Sequence, residues 1–263
     1  MRLRRSLPIC LVTGYFVIVG AGLLTGHLCA VSAEENLDFF HPVLVRRAVI
    51  ERETELLLSY ERGREGREVV AAPGIAWPLL PRWHIELEVP AIFREPRNEP
   101  SEGGPGDVLV ETKVQIFKSE EHQALLAVGL GLGFPSGSSE RGLGGQTTVT
   151  PFVSAGVKLA SIELQGDIGY SQDVTGLRRS ESLTAGIAAG GAMTPWVIPF
   201  LELTFIDEFR GNDIRMRNRL QMYLTPAVNI RSGPATVVLG VQLPLSDAKT
   251  FDYGIRLSVF FEL

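Results

Sequence analysis

From about residue 51 onward the chain alternates apolar and polar side chains with a period of two, the signature of strands that keep one face apolar. Twelve segments carry it: 51–61, 68–77, 82–93, 106–117, 122–134, 147–160, 161–171, 181–193, 196–206, 218–230, 235–245 and 252–263. Each is near the ~9 to 11 residues that a tilted strand needs to cross a hydrocarbon layer. Within 106–117, one face reads Val108, Val110, Thr112, Val114, Ile116 and the other Glu111, Lys113, Gln115. The third segment sets Ile85, Leu87, Val89 and Ala91 against His84, Glu86 and Glu88, and the last sets Ile255, Leu257, Val259 and Phe261 against Gly254, Arg256 and Ser258. A one-residue slip would turn the charged face into lipid, at about 2–4 kcal/mol per cation at the bilayer centre, so the register is well specified.

The connections alternate in length. "PLLP", "KSEE", "LA/SI", "TP" and "RSGP" are tight; "RGREGR", "REPRNEPSEGGP", "PSGSSERGLGGQ", "QDVTGLRRS", "DEFRGNDIRMR" and "SDAKTF" are long. Short turns at one end and long polar loops at the other predict an all-β fold, a transmembrane antiparallel β-barrel of about 12 strands, with the turns periplasmic and the loops extracellular. A soluble sandwich is the alternative, although it has no reason to segregate loop length. Trp77, Trp83 and Trp196 fall beside the short turns, whereas Phe93, Phe134, Tyr170, Phe205 and Tyr253 sit at the opposite strand ends. Two aromatic girdles at the membrane interfaces are the expectation. The chain stops on a strand, at Leu263 rather than on the aromatic residue that commonly closes such barrels.

Residues 1–33 change the picture of where the chain goes. Arg2, Arg4 and Arg5 precede an uncharged apolar run from Leu7 to Leu24, and Val31-Ser32-Ala33 offers small residues for cleavage near Ala33. This reads as a signal peptide, with an uncleaved anchor as the alternative. Cys10 and Cys29 both lie inside it, so a mature chain has no disulfide or cysteine metal site. The expected organisation is signal peptide 1–33, a periplasmic N-terminal segment 34–50 that is either disordered or inserted into the lumen, and a barrel over 51–263. The location that follows is the outer membrane of a Gram-negative bacterium, with membrane lipid and the barrel-assembly machinery as partners. A net charge of -5 gives no support to nucleic-acid binding.

The stretch "GFPSGSSERGLGGQTT" (133–148) has the glycines of a phosphate-cradling loop but lacks the Gly-Lys-Ser/Thr ending, and a strand rather than a helix follows it. It reads as one of six external loops. Three stretches are similar to the outer-membrane transporter family associated with meta-pathway phenol degradation: "HPVL" (41–44) resembles its mature N-terminus, "GPGDVLVETKV" (104–114) its Gly-x-Gly-Asp strand start, and "LGFPSGSSERGLGGQ" (132–146) its Pro-Ser/Thr-Gly loop. "VRRAVIERE" stands where the family continues with acidic and glycine-rich residues. The resemblance implies a passive channel, with hydrophobic or aromatic small molecules as cargo.

The inward parity nominates as lumen-lining Glu53, Glu55, Glu86, Glu88, Glu111, Lys113, Lys158, Glu163, Asp167, Glu202, Arg219, Gln221 and Arg256. Acids outnumber bases, which predicts modest cation preference if the pore is open; if the groups pair across the lumen, they plug it. Gly129, Gly131, Gly133, Gly186 and Gly190 on the same face would leave room. Surface binding or adhesion by the loops is a second function class. A hydrolase is a third, and His84 is its nearest candidate base, with no serine nearby in sequence. No nucleotide, cofactor or metal-ligand motif stands out, so no catalytic, metal or cofactor residue is expected.

Overall fold

The computed structural model describes residues 37–175, 179–211 and 216–263. The expected signal peptide and both cysteines lie outside these residues. Fourteen strands run β1 (Glu53–Gly63), β2 (Gly66–Leu80), β3 (Trp83–Glu88), β4 (Ala91–Pro96), β5 (Glu102–Pro105), β6 (Val108–Ser119) and β7 (Ala124–Phe134), then β8 (Thr148–Leu159), β9 (Ile162–Asp173), β10 (Glu181–Gly191), β11 (Val197–Arg210), β12 (Leu220–Ser232), β13 (Ala235–Pro244) and β14 (Tyr253–Glu262). They make twelve wall strands. β3 and β4 are one wall strand broken at Val89-Pro90, since both pair with β2. β5 and β6 are another, broken at Gly106-Asp107, and they pair with β4 and β3. Each break adjoins a proline, which has no N–H for the ladder.

Every pairing is antiparallel, and β1 bonds to both β14 and β2, so the sheet closes. Closure removes the free edges that a lipid-embedded sheet cannot tolerate. The parity predicted for each strand holds: Ile85, Leu87, Val114, Ile116, Ile168, Ile187, Leu201, Leu239 and Ile255 are exposed on the outer wall, while His84, Glu111, Lys113, Gln165, Glu202 and Gln221 are buried inside. Polar side chains within and bare aliphatics without invert a soluble protein, as an outer-membrane-type barrel requires. Among the girdle residues, Trp83, Phe93, Phe134 and Trp196 are exposed, and Trp77, Tyr170, Phe205 and Tyr253 are half-buried. Trp77 carries Arg52 over its ring at 4.5 Å.

Two connections are clearly shorter than expected. In "REPRNEPSEGGP" the ends belong to β4 and β5, leaving 97–101 between them. "RGREGR" is a tight hairpin, because β1 and β2 continue pairing up to Gly63 and Gly66. Gly66 takes φ +147°, and a Cβ there would lie 2.2 Å from the Glu95 carbonyl oxygen, so this corner requires glycine.

Loop 135–147, beyond β7, is compact rather than loose. Gly137 N–H donates to the Asp107 carboxylate at 2.8 Å, Gly145 N–H at 2.8 and 2.9 Å and Gln146 N–H at 3.2 Å. Gly144 and Gly145 reach this geometry at φ +137° and +98°, and Leu143 is buried beneath the loop against Gly104. The glycine amides do cradle an anion, and that anion is the chain's own Asp107.

Candidate functional site

The interior is built around residues 37–52, which enter at the short-turn end and occupy that half of the lumen. Phe39 and Phe40 are fully buried, and Val45, Ala48, Val49 and Ile50 nearly so. They pack in two clusters. Phe40 and Val45 meet Ala188, Ile198, Phe200, Val238 and Phe260; Phe39, Ala48 and Val49 meet Leu125 and Ala127. Of the two options for 34–50, insertion is the one adopted by the described residues.

Small wall residues make the seat. A Cβ on Gly156 would stand 3.1 Å from the Phe39 ring, one on Gly186 2.7 Å from Val45, one on Gly190 3.0 Å from Phe40 and one on Gly240 2.9 Å from Val43. The room predicted beside Gly186 and Gly190 is thus taken by the chain itself. At Gly129 it is taken by Phe152, whose ring would lie 2.1 Å from a Cβ.

A strandless backbone inside a barrel needs partners for its N–H and C=O groups; the nominated Glu202, Glu163 and Lys113 supply some, and Gln115 and Gln165, which are outside the nominated set, supply others. The Glu202 carboxylate, fully buried, accepts the N–H groups of Val43, Leu44 and Val45 at 2.9, 2.9 and 3.1 Å. Glu163 accepts the Phe40 N–H at 2.8 Å while facing Lys158 at 3.3 Å. Carbonyl oxygens are met in turn: Gln165 Nε2 donates to Phe40, Gln115 Nε2 to Ala48 and Lys113 Nζ to Arg47, at 2.8, 3.0 and 2.7 Å. Arg46 spans two acids of the wall, Glu111 at 3.1 Å and Asp167 at 3.0 Å, and lies 4.9 Å over the Phe152 ring.

Two histidines belong to this seat. His41 Nε2 lies 2.6 Å from Arg47 Nη1 and 3.0 Å from Glu53 Oε2; burial first, and Arg47 second, hold its pKa well below the ordinary imidazole value. With Arg47 donating, Nε2 is the acceptor. His84 Nδ1 accepts the Glu51 N–H at 3.0 Å, so its proton sits on Nε2. Burial pushes the Glu51 carboxyl up, but Lys113 and Arg47 outweigh it and bring it down to about 2.

Glu51, His84 and Glu86 place ligand atoms within 4.8 Å of one another, the described cluster with metal-ligating types. The Lys113 ammonium, 3.2 Å from Glu51, already supplies the cation, and the His84 Nδ1 lone pair is spent on a backbone N–H. Neither histidine has a serine or threonine hydroxyl bonded to it among the described residues, so the nucleophile–base contact of a hydrolase is not formed.

Beside the seat lies a chamber of about 540 Å³, bordered by residues 41–47 and reaching Glu61 and Phe251 near the long-loop end. Glu55, Glu61, Glu86 and Glu88 line it together with Leu57, Leu109, Tyr223, Phe251 and Phe260. Arg256 faces it too, bound to Glu61 and, at 3.1 Å, to Gln242. Gln221 closes one side, accepting the Tyr223 hydroxyl at 2.9 Å. Arg219 is the correction to the nominated set: it precedes β12, which begins at Leu220, and lies exposed on the outer rim beside Ser246 and Asp247. Parity carried past the end of a strand no longer fixes direction. Phe39, Phe40, Arg46, Arg47, Glu51 and Asp107 were missed as site residues; "HPVL" was the one signal pointing at the segment.

Comparison with known proteins gives the fold a context. The structure is similar to the COG4313 outer membrane channel from Pseudomonas putida F1, with a TM-score of 0.66 and 10% identity over 86% of this chain and all of that one. It is also similar to the KdgM porin in complex with disordered oligogalacturonate (TM-score 0.53, 9% identity, 80% of this chain and 99% of that one), and to the β domain of the Bordetella autotransporter BrkA (0.50, 12%, 80% and 98%). No family model and no curated protein matches the sequence. At these identities the likeness defines the class, an outer-membrane-type β-barrel.

Proposed function

We propose that this chain is an outer-membrane channel for passive uptake of small molecules with apolar or aromatic bodies, closed at its periplasmic end by its own residues 37–52. The observation that carries the reading is a lumen only partly filled: beside the seated segment lies a chamber of mixed acidic and apolar lining. A wall built only to be filled would need no chamber. The solved channels and porins of like fold support it, as does the similarity of 41–44, 104–114 and 132–146 to phenol meta-degradation transporters, which points the cargo toward aromatics. The polar seat contacts run largely to charged groups, about 1.5–3 kcal/mol each, so the segment holds the periplasmic end shut until they are broken.

The test is conductance of the refolded mature chain in planar bilayers beside a variant lacking 34–50, with uptake of a neutral aromatic solute by liposomes. Low conductance in the intact chain, a large steady increase in the variant and faster solute entry are expected. Equal conductance in both would remove the segment as the barrier, and no solute entry through either would remove the uptake reading.

A further inference from the structure

At the long-loop end, four arginines of the β1–β2 hairpin and the end of β4 gather on the wall. Arg62 and Arg67 are direct partners across β1 and β2, and Arg67 is in turn opposite Glu95 of β4. By the parity that sets Leu56, Leu58 and Val69 outward, all three side chains face away from the lumen. The row directly beneath them is apolar and aromatic: Tyr60, Val69, Phe93 and Ile255, with the Tyr60 and Tyr253 rings 6.1 Å apart. The arginines therefore sit at headgroup height, just beyond the girdle.

Their charge is only partly balanced within the chain. Arg62, Arg64, Arg67 and Arg97 border one concavity of about 690 Å³ with Glu95 and Asp252. Glu95 is spent on Arg67 of the same cluster, accepting from its Nε at 2.8 Å, and Asp252, which also feels the Arg64 charge, lies 2.8 Å from Lys249. Arg62, Arg64 and Arg97 form no ion pair among the described residues. On the lumen face of the same strands, by contrast, Arg94 is paired with Glu68 and Arg256 with Glu61. Two arginines placed opposite each other repel unless an anion joins them. The hairpin holds the cluster in place, through the Gly66 corner and the Arg97 N–H bonded to the Glu65 carbonyl at 2.7 Å.

From this arrangement we infer a binding site for the phosphate of an outer-leaflet glycolipid on Arg62, Arg64 and Arg97, with the acyl chains lying along Tyr60, Val69 and Phe93. Guanidinium forks match phosphate oxygens in paired, charge-assisted hydrogen bonds. A free anion would gain nothing from the apolar row below, whereas a lipid uses both. The site takes its membrane from the reading above but not the channel activity, so it stands whether or not the lumen conducts.

The experiment is native mass spectrometry of the full mature chain in detergent, titrated with bis-phosphorylated lipid A, with dephosphorylated lipid A, and with inorganic phosphate as competitor. The comparison is an Arg62→Ala, Arg64→Ala, Arg97→Ala variant; Arg141→Ala, Arg210→Ala serves as the rim control, and heat-modifiable gel mobility verifies folding in each. Wild type and control are expected to favour the phosphorylated lipid by about tenfold or more, and the triple variant to lose that preference while keeping the weaker binding of the dephosphorylated form. Equal affinity for the two lipids, or a preference that survives in the triple variant, overturns the site. Full competition by millimolar inorganic phosphate would assign it to a free anion and overturn the lipid assignment.

Discussion

The acids that line the lumen stand on the same wall strands and are used in opposite ways. Those that meet the seated segment have fixed partners: Glu202 holds three amides, Glu163 a fourth, and Glu111 and Asp167 share Arg46. Glu86 and Glu88, which face open space, have no hydrogen-bond or ion-pair partner among the described residues, although Glu86 stands directly across from Glu111. A carboxylate on an inward strand face is thus not of one kind. Where backbone lies opposite it, the charge satisfies that backbone; where open space does, it shapes the field that a solute meets.

The largest break of this contrast is expected from Glu202→Leu. It leaves three buried N–H groups without an acceptor, at about 1–3 kcal/mol for each one left unmade, and should unseat 37–52. Protease cutting within the segment and raised conductance would report it, with Glu202→Gln intermediate; a segment as protected as in wild type would deny the latch. Gly186→Val attacks the same seat sterically, since even a Cβ meets Val45 at 2.7 Å and Asp167 Oδ1 at 2.9 Å. Overpacking of this kind costs about 1–3 kcal/mol, and hydrogen exchange of residues 43–46 should speed up while the wall strands stay protected.

Acid should loosen the seat as well. Glu51 sits at about 2 when seated against an ordinary 4.5, so the seated state binds fewer protons there than the released one. Its contribution is complete above the ordinary value and is lost as pH falls from there toward 2. Conductance should rise over that interval and flatten in Glu51→Gln; an unchanged titration in the variant would assign the acid response to another group. The smallest structural effect, and the one that sharpens the contrast from the other side, belongs to Glu86→Gln with Glu88→Gln. Stability should move by no more than about 0.5 kcal/mol, while the reversal potential in a salt gradient loses cation preference. A large stability loss instead would mean that these acids are structural after all.

Much of this was legible before any coordinates. The alternation over 106–117 already separated Val114 from Lys113, and the two come out on opposite sides of the wall. The stretch 133–148 reads as a loop between strands rather than an anion cradle, and nothing in it shows that its amides close on Asp107, some thirty residues earlier. The stretches 104–114 and 132–146, read separately in the sequence, are one structural unit joined through that carboxylate. For residues 37–52 the sequence offered neither period nor turn signal, because their conformation is set by partners such as Glu202, which lies 159 positions from Val43.

Strand existence, the face each strand gives to lipid and the ends at which turns and loops lie follow from side-chain alternation and loop length. These are local properties, and pairing with chain neighbours extends them around the wall. What fills the lumen, which acids are spent and which stay open, and where arginines from the β1–β2 hairpin and β4 converge depend on groups far apart in sequence. Their contacts exist only when β1 meets β14 and the sheet closes, and so the tertiary structure alone decides them.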